Sequence, residues 1–150
     1  MDKQNLILQL YKARKLCSKE EYELFEDAMI KLQGNIEIND VYELCKVFCD
    51  DTEDEEVMFE MVHLIEQLIS EEYLECIAKC SPKMTDAHKW AMTLNKRILN
   101  SQKNFDKYID IISKMEDTNK TEILELLIDV KNDNPKRFGE KVDYILGKVN

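Results

Sequence analysis

The sequence is poor in the residues that make tight turns, with three glycines and two prolines in 150 residues. All-β folds and glycine-rich phosphate loops need more turn-forming residues, so this composition disfavours both. No stretch approaches the roughly 20 apolar residues of a membrane span. The first ten residues mix charged and apolar side chains and lack the apolar core of a signal peptide. These absences predict a cytoplasmic protein that enters no membrane.

Basic residues are missing from one long segment. No lysine or arginine lies between Lys46 and Lys79, whereas the same segment holds eleven of the 31 acidic residues. The other 20 acidic residues face 21 basic residues in the rest of the chain, so the net charge of −10 arises in this segment. A segment of this kind repels nucleic acid and anionic membranes and attracts basic proteins. The charge pattern therefore predicts a basic protein partner.

Motifs for catalysis and for cofactors are also missing. The chain contains no G-x-S-x-G, no H-E-x-x-H and no P-loop, and its two histidines fall on separate predicted helices. The run Asp50–Glu56 lacks the glycine and the ligand spacing of a calcium loop. Glu60-x-x-His63-x-x-Glu66 resembles half of a di-iron site, but such sites need two Glu-x-x-His motifs. The sequence predicts neither an enzyme nor a bound cofactor.

The five cysteines are predicted to be free thiols, because an odd number in a reducing compartment disfavours a disulfide framework. Cys45 and Cys49 are one helical turn apart, and so are Cys76 and Cys80. Four thiolates could bind zinc, but zinc sites usually space their cysteines as Cys-x2-Cys on a turn. Burial as small apolar side chains is the favoured interpretation.

Helical periodicity runs through nearly the whole chain and predicts nine helices. Ser18 with Glu21 and Thr52 with Glu55 have the spacing of capping boxes, and Pro135 suits a first helical turn. Trp90 is predicted to be buried on the same helical face as Ala87, Ala91 and Leu94. The predicted helices cover about 4–16, 18–33, from 39, 52–69, 70–77, from 85, 104–115, 118–131 and from 134.

The predicted helices come in pairs, and the pairs start near Asp40, Ser70, Ser101 and Asn134. This spacing of roughly 30–33 residues lies in the range of helical repeats, and short links make sequence neighbours antiparallel. We therefore expect an all-α fold in a single domain over residues 1–150. Antiparallel hairpins stacked as a short HEAT-like α-solenoid and a compact irregular bundle both fit the pattern.

The acidic run before the fourth predicted helix is the strongest candidate for a binding surface. Acids in a first turn complement the helix dipole, but Asp50–Glu56 has six acids in seven residues, more than a cap requires. At 100° per residue, Val57, Met61, Leu64, Ile65 and Leu68 form an apolar face. Phe59 falls opposite this face, where it is either covered by a neighbouring helix or an apolar anchor for a partner. The predicted partner-binding residues are Asp50, Asp51, Glu53, Asp54, Glu56, Phe59, Glu60 and His63.

The segment around this helix resembles a known family. The stretch VFCDDTEDEEVMF at 47–59, then VHLIE at 62–66 and Trp90 followed by RILNS at 97–101, is similar to the immunity protein 30 family of bacterial polymorphic toxin systems. The similarity covers about Asp40 to Tyr108. It implies a small helical protein that binds and neutralises a cognate toxin, and an acidic face suits the basic substrate channel of a nuclease or deaminase toxin. A helical-repeat adaptor that binds another basic protein is the alternative.

Overall fold

The computed structural model describes residues 2–149, and within this range the protein contains nine α-helices, one 3-10 turn at Ser81–Lys83 and no strand. The all-α prediction is therefore confirmed. No helix among these residues is both long enough and apolar enough to span a bilayer. The helices are α1 (Lys3–Ala13), α2 (Lys19–Leu32), α3 (Ile38–Leu44), α4 (Glu55–Glu66), α5 (Glu71–Cys80), α6 (His88–Leu99), α7 (Gln102–Ser113), α8 (Asp117–Asp133) and α9 (Pro135–Val149).

The chain divides into two compact units, with the boundary between Ile69 and Ser70. The first unit contains α1 to α4, and the second contains α5 to α9. A single domain over the whole chain stays a prediction. The acidic run and every predicted partner-binding residue lie in the first unit.

In the first unit, α1 and α2 pack against each other as a hairpin around buried apolar side chains such as Leu10 and Phe25. Ser18 caps α2, because its hydroxyl accepts a hydrogen bond from the Glu21 backbone N–H at 3.2 Å. The Glu21 carboxylate accepts from the Cys17 N–H at 2.7 Å, one residue earlier than in a standard capping box. The predicted start of α2 is thus correct.

In the second unit, α5 packs against α7, and α8 packs against α9. Trp90 on α6 is buried, as predicted, with 7% of its surface exposed. Asn95, also on α6, is completely buried and hydrogen-bonded to Ser81 and Tyr108. A series of hydrogen bonds between polar side chains therefore runs through the apolar core of this unit.

Two predicted helix starts are wrong. The helix expected from Thr52 begins at Glu55, because Asp54 and not Thr52 accepts the capping hydrogen bond. The helix expected from Thr85 begins at His88, after hydrogen-bonded turns that join Thr85 to Lys83 and Ala87 to Met84. In both cases the helix starts after a segment that makes tertiary or turn contacts.

Three predicted helix ends also differ from the structure. The helix α1 ends at Ala13 and not near Leu16, whose φ of 53° is not helical. The helix α4 ends at Glu66 and not near Ile69, since the next residues form i to i−3 turn hydrogen bonds. The helix α5 continues to Cys80, three residues beyond the predicted Ile77, and ends where the 3-10 turn begins. These differences shift helix boundaries and leave the order of helices as predicted.

Candidate partner-binding surface

The loop between α3 and α4, which carries most of the acidic run, is fastened to the end of α1. The Arg14 guanidinium donates hydrogen bonds to the carbonyl oxygens of Lys46 at 3.1 Å and Phe48 at 3.3 Å. The Glu53 N–H donates to the Lys15 carbonyl oxygen at 2.8 Å. The Phe48 side chain is fully buried beneath the loop. The acidic residues are therefore presented by a backbone that tertiary contacts hold in place.

Asp54 connects this loop to two helices at once. One carboxylate oxygen accepts from the Val57 N–H at 3.1 Å and caps α4, and the other accepts from the Tyr22 hydroxyl of α2 at 2.7 Å. Both hydrogen bonds lower the pKa of Asp54, and the bond from Tyr22 has the larger effect. The same hydrogen bond and partial burial raise the pKa of Tyr22 to about 12. Asp54 thus positions the start of α4, and a contact of Asp54 with a partner stays a prediction.

The carboxylates around Asp54 are open to solvent. We define the acidic surface as the five exposed residues Asp51, Glu53, Glu55, Glu56 and Glu60. Within residues 2–149, none of these five side chains forms a hydrogen bond or an ion pair. Asp50, the remaining predicted acid, is half-buried. The acidic surface therefore carries charge that the described protein does not neutralise by direct pairing.

The buried side of α4 is wider than the predicted apolar face. Met61, Leu64 and Ile65 are fully buried as expected, while Val57 and Leu68 are half-buried. The residues added to the buried side are Met58 and Val62, each completely inaccessible to solvent.

Phe59 lies at the border between the buried side of α4 and the acidic surface. Its side chain is half-buried, and its ring meets the exposed His63 ring edge-on, with centroids 5.1 Å apart. Phe59 is therefore neither enclosed in the core nor fully exposed. Phe59 keeps some solvent exposure and shares α4 with the exposed residues Glu56 and Glu60.

A groove of about 380 Å³ lies between α2 and α4. Both ends are marked by hydrogen bonds between the helices, from Tyr22 to Asp54 and from Gln67 to Gln33, each 2.7 Å long. These bonds join start to start and end to end, so the two helices run parallel. The residues lining the groove are Glu26, Met29, Ile30 and Gln33 on α2, with Glu60 and His63 on α4.

The groove places two carboxylates from different helices in one site. Partial burial, followed by the negative charges of Glu26 and Asp54, raises the pKa of Glu60. No sequence pattern selects Glu26, because its place beside Glu60 depends on the arrangement of helices that are not consecutive. Glu60 and His63 were predicted as partner-binding residues, and the groove brings these two together with Glu26.

No group of three histidine, cysteine or acidic side chains within residues 2–149 is arranged to hold a metal ion. Cys45, Cys49 and Cys76 are buried, and Cys17 is exposed. The sulfur atoms of Cys76 and Cys80 lie 3.9 Å apart on one side of α5.

A family model described as Immunity protein 30 matches residues 12–108. The chain belongs to this family. The match begins within α1, earlier than the predicted Asp40, and ends at residue 108 within α7 as predicted. The matched range includes the acidic surface and the groove. The comparisons with curated proteins and with solved structures found no match. Membership of this family implies an immunity protein with a cognate toxin as its partner.

Proposed function

We propose that this protein neutralises its cognate toxin by binding a basic surface of that toxin through the acidic surface of the first unit, extended by Phe59 and His63. The observation that carries the proposal is the set of five exposed carboxylates with no bonded partner among the described residues. We also propose that the protein acts in the cytoplasm and is not an enzyme.

The distribution of charge between the two units supports the proposal. The first unit holds 17 of the 31 acidic residues but only 7 of the 21 basic residues, which gives it the entire net charge of −10. The second unit holds the other 14 acidic and 14 basic residues and is neutral overall. A basic partner is therefore attracted to the first unit. Charge of one sign on one surface raises the rate of encounter more than it raises the final affinity.

The partner chemistry follows from the same charge. The family resemblance implies a toxin partner, and a toxin that acts on nucleic acid has a basic substrate channel. An acidic surface is complementary in charge to such a channel. Phe59 supplies a partly accessible aromatic ring beside the carboxylates. Aromatic side chains at the centre of an interface often contribute much of the binding energy.

The decisive experiment measures association of the protein with its cognate toxin at several salt concentrations. The test variant combines Asp51→Asn, Glu53→Gln and Glu56→Gln, three exposed members of the acidic surface. Asp54 is left intact because it caps α4. We expect the association rate at low salt to fall by about tenfold, and the difference from wild type to shrink as salt screens the charges.

The control variant removes three charges from the neutral unit by Glu71→Gln, Glu125→Gln and Glu140→Gln. All three glutamates are exposed, and Glu71 lies in the first turn of α5 as Glu56 lies in that of α4. We expect the control to associate nearly as fast as wild type. Equal association rates for both variants, with helical circular dichroism intact, would show that the toxin docks elsewhere. The next surface to test would then be the end of α6 around Lys96, Arg97 and Asn100.

A further inference from the structure

We infer that the groove between α2 and α4 receives an arginine side chain of the toxin, with its guanidinium group between Glu26 and Glu60. This inference rests on the proposed function and adds a specific anchor to it. Exposed carboxylates elsewhere on the acidic surface attract a basic partner from a distance, whereas the groove is an open depression that can receive one side chain. The first contribution affects the rate of association, and the second affects the rate of dissociation.

The charge of the groove is unbalanced. Glu26 and Glu60 come from opposite helices, and within residues 2–149 neither carboxylate accepts a hydrogen bond or forms an ion pair. Lys31, which follows on α2, is already paired with Asp27 at 3.1 Å. The described residues that line the groove include no lysine and no arginine. A cation entering from a partner would relieve the repulsion between the two carboxylates.

The apolar part of the groove fits a long side chain that ends in a cation. Met29 is buried, and Ile30 is 74% exposed, the largest exposed fraction among the big apolar residues described. The methylene groups of an arginine or a lysine could cover Ile30 while the charged end reaches the carboxylates. The volume of about 380 Å³ accommodates one such side chain.

Arginine fits this site better than lysine. A guanidinium group is planar and presents five N–H donors, so it can bind carboxylates on two sides at once. The ammonium group of lysine is a compact charge that holds its water more strongly. The carboxylates of Glu26 and Glu60 come from two different helices.

The two walls of the groove are joined by hydrogen bonds within the first unit itself. The hydrogen bonds Tyr22–Asp54 and Gln33–Gln67 tie α2 to α4 at both ends. Tyr22 and Gln33 are eleven positions apart in the chain, which corresponds to about 16 Å at a rise of 1.5 Å per residue. A site held in this way loses little conformational entropy when it is filled, which favours slow dissociation.

A first experiment tests the groove without the toxin. The isotopically labelled full-length protein is titrated with the peptide acetyl-Gly-Gly-Arg-Gly-Gly-amide and followed by NMR. We expect millimolar binding that shifts the Ile30 and Met29 methyl signals and the side-chain carboxyl signals of Glu26 and Glu60. The same peptide with citrulline in place of arginine keeps the shape and lacks the charge, and should leave these signals in place. Equal shifts with both peptides, or no shift at Ile30 with either, would overturn the inference.

A second experiment uses the toxin and the double variant Glu26→Gln with Glu60→Gln. Its control is Glu125→Gln with Glu140→Gln, which changes the net charge by the same amount in the second unit. We expect the groove variant to dissociate from the toxin about tenfold faster than the control, since it loses charge-assisted hydrogen bonds. Circular dichroism checks that both variants are folded.

The outcomes separate the two proposals. If neutralising Asp51, Glu53 and Glu56 slows association while the groove variant dissociates like its control, the acidic surface is retained as the docking site and the arginine anchor is rejected. If the toxin does not use the acidic surface but the arginine peptide still shifts Ile30 selectively, the groove binds arginine and the proposed function fails.

Discussion

The buried hydrogen-bond chain in the second unit gives a quantitative prediction. The Tyr108 hydroxyl donates to Asn95 Oδ1 at 2.5 Å, and Asn95 Nδ2 donates to Ser81 Oγ at 3.0 Å. Ser81 Oγ in turn donates to the Ile77 carbonyl oxygen at 2.6 Å. Burial raises the pKa of Tyr108, so its hydroxyl keeps the proton that it donates. Each of these three buried polar side chains therefore has hydrogen-bond partners inside an apolar core.

Replacing Tyr108 by phenylalanine should destabilise the protein by about 1–3 kcal/mol, because Asn95 Oδ1 would then be buried without a donor. For a protein of this size, that loss lowers the melting temperature by roughly 2–12 °C. Asn95→Leu should also destabilise, since it leaves the Tyr108 hydroxyl without its acceptor. The double variant should lose less than the sum of the two single losses, because both partners become apolar together.

Urea unfolding followed by tryptophan fluorescence measures these losses. Trp90 is the single tryptophan of the chain and lies on α6, the helix that carries Asn95. The control is Tyr144→Phe in the same unit, where the ring is 52% exposed, and its effect should stay within about 0.5 kcal/mol. A loss of less than about 0.5 kcal/mol for Tyr108→Phe, or strictly additive losses in the double variant, would refute the reasoning.

Two further predictions concern single aromatic residues. Tyr22→Phe should destabilise the first unit at neutral pH, because Asp54 loses its donor. The difference in the free energy of unfolding between this variant and wild type should shrink between pH 10 and 12. The pKa of Tyr22 is raised to about 12 in the folded protein, so wild type loses the stabilisation from its hydrogen bond to Asp54 as pH rises through this range. Thermal melts followed by circular dichroism test this, and a constant difference up to pH 12 would contradict it. Trp90→Ala should cost about 3–5 kcal/mol, as for other buried large aromatics, and wild-type emission typical of a water-exposed indole would contradict the burial of Trp90.

The sequence was a good guide wherever a feature depended on residues close together in the chain. The helical period identified nine helices in order, and the face of α6 placed Trp90 in the core. The acidic run was likewise visible without a structure, since charge is a property of the residues themselves.

Prediction failed where a distant residue decided between local alternatives. Thr52 and Asp54 are both acceptable caps for α4, and Asp54 is the cap because the Tyr22 hydroxyl, 32 residues earlier, holds its carboxylate. Glu26 could not be assigned to the site for the same reason. Its neighbour Glu60 is on α4, which α3 separates from α2 in the sequence, and the parallel arrangement of α2 and α4 is a tertiary feature.

The confinement of the net charge to residues before Ser70 gives salt two opposing effects. Like charges within the first unit repel one another, so screening by salt should raise the free energy of unfolding of that unit. Under the proposed function, the same screening weakens the attraction of a basic toxin, so the salt concentrations that best stabilise the free protein are those at which it binds the toxin most slowly. A bound basic toxin would itself supply the missing counter-charge and stabilise the unit that holds it. The repulsion then destabilises the free protein and not the complex with the toxin.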